Sequence, residues 1–286
     1  MPVSSQRVRP IDVMHLGREH VICCWEVDGL LVDPGPQSCE DTLLAALGGQ
    51  RPRGLLLTHI HFDHAGAAGA LVRRWPGMPV YVHERGAPHL ANPEKLVASA
   101  ARLYGGEEGL ARLWGEVLPV PEANLKILEG GETVERAFRV EYTPGHASHH
   151  VCYLHEESGT AFVGDMAGVR VPPDPFTLAP TPPPDIDLEL WERSLEVIAG
   201  WQPRALALTH FGQVDDPPQQ LERVRESLHE LARMADGNDV DGFVEAYEAR
   251  VSEHAGDAAE AIRQVAPPDL LYLGLDRWIS KGGRVP

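Results

Sequence analysis

Apolar positions in this chain fall into two kinds of run that alternate along its length. Short runs rich in β-branched residues and bounded by turn formers read as strands. They are HVICCWEV (20–27), LLVD (30–33), GLLLTH (54–59), VYVH (80–83), FRVEYT (138–143), HVCYL (150–154), TAFVGD (160–165) and RALALTH (204–210). Longer stretches carry helical spacing. Leu188, Trp191, Leu195 and Ile198 share one face, with Asp185 near the start as the expected cap. Leu221, Val224, Leu228 and Leu231 repeat that spacing behind Asp215-Asp216-Pro217, a cap followed by a first-turn proline. Phe243, Tyr247 and Val251 mark a further helix. The pattern predicts an α/β body over residues 1–215 and a helical C-terminal segment over 216–286 that shapes a substrate pocket.

Two stretches read differently. Residues 171–185 (VPPDPFTLAPTPPPD) hold too many prolines for a helix or a central strand. Residues 92–120 read as short helices broken at Gly105, Gly106, Gly109 and Gly115. Both are long enough to serve as lids or pocket walls.

One internal repeat stands out. Residues 52–59 read PRGLLLTH and residues 203–210 read PRALALTH. Burial alone selects apolar residues and not the shared Thr-His ending. The repeat therefore reads as two related strands in two halves of a duplicated architecture, each delivering a histidine at its C-terminal end.

Composition narrows the function classes. The chain has 286 residues, with 25 Lys+Arg against 42 Asp+Glu and a net charge of −17. So acidic a surface repels phosphate backbones and anionic lipid, which argues against nucleic acid and membrane as partners. No apolar run approaches the ~20 residues that span a bilayer. The N-terminal residues MPVSSQRVRPID lack a signal-peptide core, so the expected location is cytoplasmic. Cys23, Cys24, Cys39 and Cys152 form no Cys-x-x-Cys motif and read as free thiols.

The candidate chemistry lies where strands end. Runs terminate at Asp33, His59, His146, Asp165 and His210, and the C-terminal edge of strands is where α/β proteins build sites. The densest piece is Thr58-His59-Ile60-His61-Phe62-Asp63-His64. His59 and His61, two apart on extended backbone, project to one side and can chelate one ion. Asp63 and His64 sit where a helix begins through AGAAGALVRRW and point toward a second. Imidazole with carboxylate suits zinc, and also iron or manganese. Among the remaining polar residues, His149 and Arg170 are candidate substrate contacts. His83 and His89 read as structural, and no Gly-x-Ser-x-Gly elbow supports serine chemistry.

His-x-His-x-Asp-His, with Asp33 before it and His146, Asp165 and His210 after it in order, resembles the metallo-β-lactamase superfamily. The pattern covers roughly residues 10 to 215. The resemblance implies a four-layer αβ/βα sandwich holding two divalent metal ions at one edge. It implies His59, His61 and His146 on the first ion, Asp63, His64 and His210 on the second, and Asp165 bridging both. Asp33, with Thr58, would orient the loop that carries the histidines. β-Lactamases of the superfamily place cysteine or another non-bridging residue where this chain has Asp165, and flavodiiron enzymes replace the second motif histidine with glutamate. What remains resembles the glyoxalase II-like and lactonase-like branch. The implied activity is hydrolysis of a small-molecule thioester or ester, with Asp63 as the catalytic proton carrier. The alternatives are a lactonase, a phosphodiesterase, or a mononuclear-iron persulfide dioxygenase, and retention of His64 and His210 disfavours the last. The ending LDRWISKGGRVP offers Arg277, Lys281 and Arg284 in surroundings unlike the glutathione-contacting pattern of glyoxalase II. A homodimer is compatible with the superfamily.

Overall fold

A computed structural model describes residues 8–286. Among the described residues, twelve strands form two six-stranded sheets laid face to face. The first holds β1 (Val8–Asp12), β2 (Cys23–Val27), β3 (Leu30–Val32), β4 (Gly54–Leu56), β5 (Val80–His83) and β6 (Leu125–Leu128), in that spatial order. The second holds β7 (Thr133–Val134), β8 (Phe138–Tyr142), β9 (Val151–His155), β10 (Thr160–Gly164), β11 (Ala205–Leu208) and β12 (Gly212–Val214), again as neighbours in sequence order. Both are mixed: β3 to β6 run parallel, as do β10 and β11, and the remaining pairs are antiparallel.

Eight of these strands coincide with runs predicted from sequence. The other four, β1, β6, β7 and β12, escaped because their sequences (VRPID, LKIL, TV, GQV) are short or polar. The repeated segments form β4 and β11, one in each sheet, which agrees with the expected duplication.

The period of two sorts the side chains. Cys23, Trp25 and Val27 face the other sheet with Leu30, Val32 and Leu56, and meet Phe138, Val140, Tyr153 and Phe162 in a buried inner core. Cys24, Leu31 and Leu55 face the opposite way into the larger core beneath the helices. Each large inner side chain contributes roughly 2–3 kcal/mol by leaving water. Polar cross-links fix the sheets in register. The Trp25 indole donates to the Leu208 carbonyl at 3.1 Å, and the Tyr153 hydroxyl to the Leu57 carbonyl at 2.7 Å. The Cys23 and Val151 amides donate to the carbonyls of Thr209 and Thr58.

Helices complete the outer layers. They are α1 (Glu40–Ala46), α2 (Phe62–Ala65), α3 (Ala68–Arg74), α4 (Ala87–Ala91), α5 (Glu94–Ala101), α6 (Gly106–Trp114), α7 (Leu188–Gly200), α8 (Pro217–Gly237), α9 (Val240–His254), α10 (Ala259–Val265) and α11 (Pro268–Ser280). Asp216 caps α8 by accepting from the Gln219 amide, with Pro217 in the first turn, as the sequence predicts. The cap of α7 differs from the expectation: Asp187, not Asp185, accepts from the Leu190 amide at 2.9 Å. Asp185 lies two residues too far out and accepts instead from the Ser148 hydroxyl at 2.5 Å. The glycine breaks also need one correction. Gly105 and Gly115 flank α6 with positive φ, but Gly109 lies inside it, where a Cβ would meet the Tyr104 carbonyl oxygen at 1.9 Å. Gly109 is there for close approach, not to end a helix. Residues 171–185 carry no helix or strand, only a bridge between Val169 and Leu178 nearby. Among the described residues no helix is long and apolar enough to cross a membrane.

Candidate metal centre

The ends of β4 and β11 and the turns after β8 and β10 meet at one edge of the sandwich. The backbone there is demanding. Gly145, with φ +138°, passes so close to α7 that a Cβ would lie 2.3 Å from the Trp191 Cα, and it sets His146 in place. Gly164, with φ +49°, leaves room only for the Thr58 hydroxyl and His150 ring, and it precedes Asp165.

All seven predicted ligand residues converge there in two groups. His59, His61, His146 and Asp165 form one, and Asp63, His64 and His210 the other; within each, the ligand atoms lie within 4.8 Å of one another. Asp165 joins the two. Its Oδ2 is 3.2 Å from His146 Nε2, while its Oδ1 is 3.1 Å from His64 Nε2 and 3.5 Å from His210 Nε2.

Hydrogen-bond partners on the far side of each ring fix the tautomers. His146 Nδ1 faces the Pro180 carbonyl at 2.9 Å and His210 Nδ1 the Val21 carbonyl at 2.7 Å. A carbonyl only accepts, so both Nδ1 atoms carry hydrogen, and in the neutral ring each Nε2 presents its lone pair to the centre. Thr58 Oγ1 gives its hydrogen to Asp33 Oδ2 at 2.7 Å and therefore accepts from His59 Nδ1 at 3.1 Å. His59 Nε2 then also presents a lone pair. It lies 2.9 Å from His61 Nδ1, and His146 Nε2 lies 3.1 Å from that same atom. One proton on His61 satisfies at most one of two facing lone pairs. A cation among the three nitrogens satisfies all of them.

The second group makes the same demand with carboxylates. His210 Nε2 sits 3.3 Å from Asp63 Oδ2, and both His210 Nε2 and His64 Nε2 are buried without a conventional hydrogen-bond partner, as is Asp165 Oδ1. Orphaned buried polar atoms are rare and mark a missing partner. Imidazoles and carboxylates in this number are the donor chemistry of zinc, iron or manganese, so the residues fit the divalent ions that the sequence implies.

Protonation follows the same geometry. Burial, reinforced by the neighbouring imidazoles, holds His59 well below the usual histidine range and takes His61 down to about 4. Burial also opposes charge on His64 and His210, yet nearby carboxylates overcome it and raise both. Asp165 is likewise buried and Asp63 half-buried, and the facing imidazoles hold both below the usual carboxylate range. Burial lowers His146 as well, so the histidines of the first group favour the neutral form that a metal needs, whereas in the second group the carboxylates favour protons that a metal would displace.

Asp33 is the common anchor. It is fully buried; Oδ1 accepts from the Thr58 amide at 2.8 Å, and Oδ2 from the Thr58 hydroxyl, the Thr209 hydroxyl at 2.9 Å and His64 Nδ1 at 2.8 Å. Thr209 was not singled out from sequence, although the Thr-His repeat carried the signal: both threonines donate to one carboxylate. The carbonyls of Val21 and Pro180 left no sequence signal, because backbone acceptors carry no residue code.

Of the two candidate substrate contacts, His149 is brought against the centre, its ring 5.8 Å from that of His61 and 6.2 Å from that of His59. The Arg170 amide donates to the His210 carbonyl at 2.6 Å, but the charges that bear on its guanidinium are those of Arg223 and Asp174.

Fold and centre together define a class of protein, and sequence comparison agrees: a profile of the Metallo-beta-lactamase superfamily matches residues 26–211. The chain belongs to that superfamily. Among its relatives is the Metallo-beta-lactamase fold-containing protein ST1585 of Sulfurisphaera tokodaii, 30% identical over 169 residues, which are 56% of this chain and 60% of that protein. The crystal structure of ST1585 superposes with a TM-score of 0.69 at 22% identity, covering 94% of this chain and 97% of the other. A hydroxyacylglutathione hydrolase of Synechococcus sp. is 30% identical over 138 residues, 47% of this chain and 42% of the relative. TTHA1623, solved in a di-iron-bound form, shares the fold at a TM-score of 0.51 and 24% identity, covering 76% of this chain and 90% of the other. The chain spans at most about 60% of the length of these curated relatives.

Proposed function

We propose that this protein is a binuclear metal-dependent hydrolase of small acyl compounds, thioesters or esters. The observation that carries the reading is Asp165, whose two oxygens face the two donor groups separately. His59, His61 and His146 would hold one ion and Asp63, His64 and His210 the other. Zinc fits this set, and so does iron, which the related TTHA1623 holds as a pair. When bound, such ions supply water activation and polarisation of the acyl oxygen near neutral pH.

The chain's own residues do the rest. Asp63 turns one oxygen toward His210 and keeps its side chain 21% exposed, the only carboxylate of the centre open to that degree. It is placed to orient the attacking water, take its proton, and pass that proton to the leaving group as the acyl carbon–sulfur or carbon–oxygen bond breaks. Asp33 keeps His64 aligned, while the Val21 and Pro180 carbonyls keep the lone pairs of His210 and His146 turned inward.

The test is hydrolysis of S-lactoylglutathione and of 2-naphthyl acetate by metal-loaded protein. A kcat/KM above ~10⁴ M⁻¹s⁻¹ on either, lost on chelation and restored by metal, supports the reading. No hydrolysis of either by protein holding two ions per chain overturns it.

A further inference from the structure

Among the described residues the C-terminal helical segment supplies none of the candidate donors, yet one of its helices reaches a ligand through a strap of backbone. The strap is residues 180–187, where the proline-rich stretch ends. It wraps the turn that carries His146. The Pro180 carbonyl accepts from His146 Nδ1 at 2.9 Å, Asp185 accepts from the Ser148 hydroxyl at 2.5 Å, and the Asp187 amide donates to the Gly145 carbonyl at 2.9 Å.

On its other side the strap meets α11. Thr181, fully buried, donates its hydroxyl to the Leu271 carbonyl at 3.2 Å, and Arg277 Nε donates to the Pro184 carbonyl at 3.2 Å. Between these contacts lies Gly274, buried in the middle of α11. A Cβ there would stand 1.9 Å from the Thr181 carbonyl oxygen and 2.9 Å from the Pro182 carbonyl carbon. Glycine weakens a helix interior, so its place here is explained by the strap, which passes too close for any side chain.

Covalent geometry carries this contact to the ligand. Thr181 joins two planar peptide groups. The carbonyl of the first, from Pro180, holds His146, and the carbonyl of the second, its own, lies against Gly274. Only the φ and ψ of Thr181 separate the two planes, and its neighbours leave them little play. Pro182 restricts the residue before it to extended backbone, and the Leu271 hydrogen bond fixes the side chain. A shift of the second plane therefore turns the first, and the Pro180 oxygen leaves its line to Nδ1. His146 then loses the acceptor that keeps its Nε2 lone pair toward the centre.

We propose that Gly274 is a positioning residue of the metal centre: by seating α11 on the strap it fixes the Pro180 carbonyl behind His146, and so sets the affinity of the first donor group for its ion. The inference rests on the two-ion reading of the centre and not on the reaction proposed there.

The test is zinc affinity by chelator competition in wild type and Gly274→Ala, each also made with His210→Ala so that the first group is read alone. Gly274→Ala should weaken the first group's step about 10- to 100-fold and leave the other step within about threefold. The visible bands of the Co²⁺-loaded protein should shift as the imidazole turns. Leu43→Ala, a cavity in α1 against β1 of the first sheet, lowers stability without touching the strap and should change neither step. Thr181→Val loses the Leu271 hydrogen bond without adding a clash and should weaken the first step about threefold, which decides the matter if Gly274→Ala does not fold. An unchanged first step in folded Gly274→Ala, equal weakening of both steps, or the same loss in Leu43→Ala overturns the inference and leaves the two-ion centre standing. Wild type that binds no zinc overturns both. A selectively weakened first step in a protein that hydrolyses neither ester nor thioester sustains the inference and overturns the proposed reaction alone.

Discussion

Of the five imidazoles in the centre, His59, His64, His146 and His210 are each held from behind by a hydroxyl, carboxylate or carbonyl on the ring nitrogen that faces away from the metals. The α5–α6 pair, an outer wall of the fold, buries only Ala101 and Leu110. It hangs on a few polar contacts at His15, Ser38 and Gln37. Metal chemistry needs donors fixed to a few tenths of an ångström. A surface that admits and releases substrate needs to open at low cost.

The largest effects should come from the rigid side. Asp165→Ala removes the carboxylate that faces both groups, and hydrolysis should fall ~10³-fold or more with loss of bound metal. His61→Ala should behave alike. Asp63→Asn should instead keep most of the metal and lose rate, because a carboxamide still offers an oxygen but cannot carry the proton. Metal analysis beside kinetics separates the cases, and full activity with full metal content in Asp165→Ala would refute the bridging role.

The contrast also explains what could be read from the sequence. That the seven candidate ligands and Asp33 would come together was legible because each ends a strand or sits in one short motif, where local spacing already sets direction. Thr209 was half legible through its repeat of Thr58. The roles of Asp185 and Gly109 were misread, since a cap shifts by two residues and a helical glycine answers to a neighbour that local sequence does not show. His15 left no signal at all: its position depends on contacts between segments far apart in the chain, such as that with Gln264.

Two glycines measure the difference directly. Gly145→Ala must push α7 aside at the Trp191 backbone as well as adopt positive φ, and should cost about 3 kcal/mol or more in urea unfolding. Gly105 also has positive φ, +76°, but a Cβ there meets nothing within 4 Å. Gly105→Ala should therefore cost only about 1 kcal/mol. Equal costs would mean that the centre's backbone is no more constrained than the wall's. Native-state hydrogen exchange extends the comparison without mutation: amides of α5 and α6 should exchange about 100-fold faster than those of β4 and β11. Uniform protection would show that the wall is locked to the body of the fold.

The mildest test is titration of the joint between the two regions. Neutral His15 satisfies both of its partners, since one nitrogen donates to Leu113 and the other accepts from Gln264. Burial lowers its pKa below the ordinary 6.5, so the unfolded chain takes up this proton before the folded one does. With more protons bound in the unfolded state, stability rises with pH through that window. The contribution of His15 is therefore complete above pH 6.5 and shrinks as pH falls below it. His15→Gln cannot titrate, so its urea-unfolding free energy should fall less steeply on acidification than that of wild type. The difference should reach about 1 kcal/mol per pH unit at most, the value of a single proton. Subtracting the two curves cancels the histidines of the centre, which both proteins share. Parallel curves from pH 7 to 5 would mean that His15 accepts its proton within the fold, and that the stacking of its ring on Trp114 with the Ser38 and Gln37 contacts holds the α5–α6 pair whatever its charge.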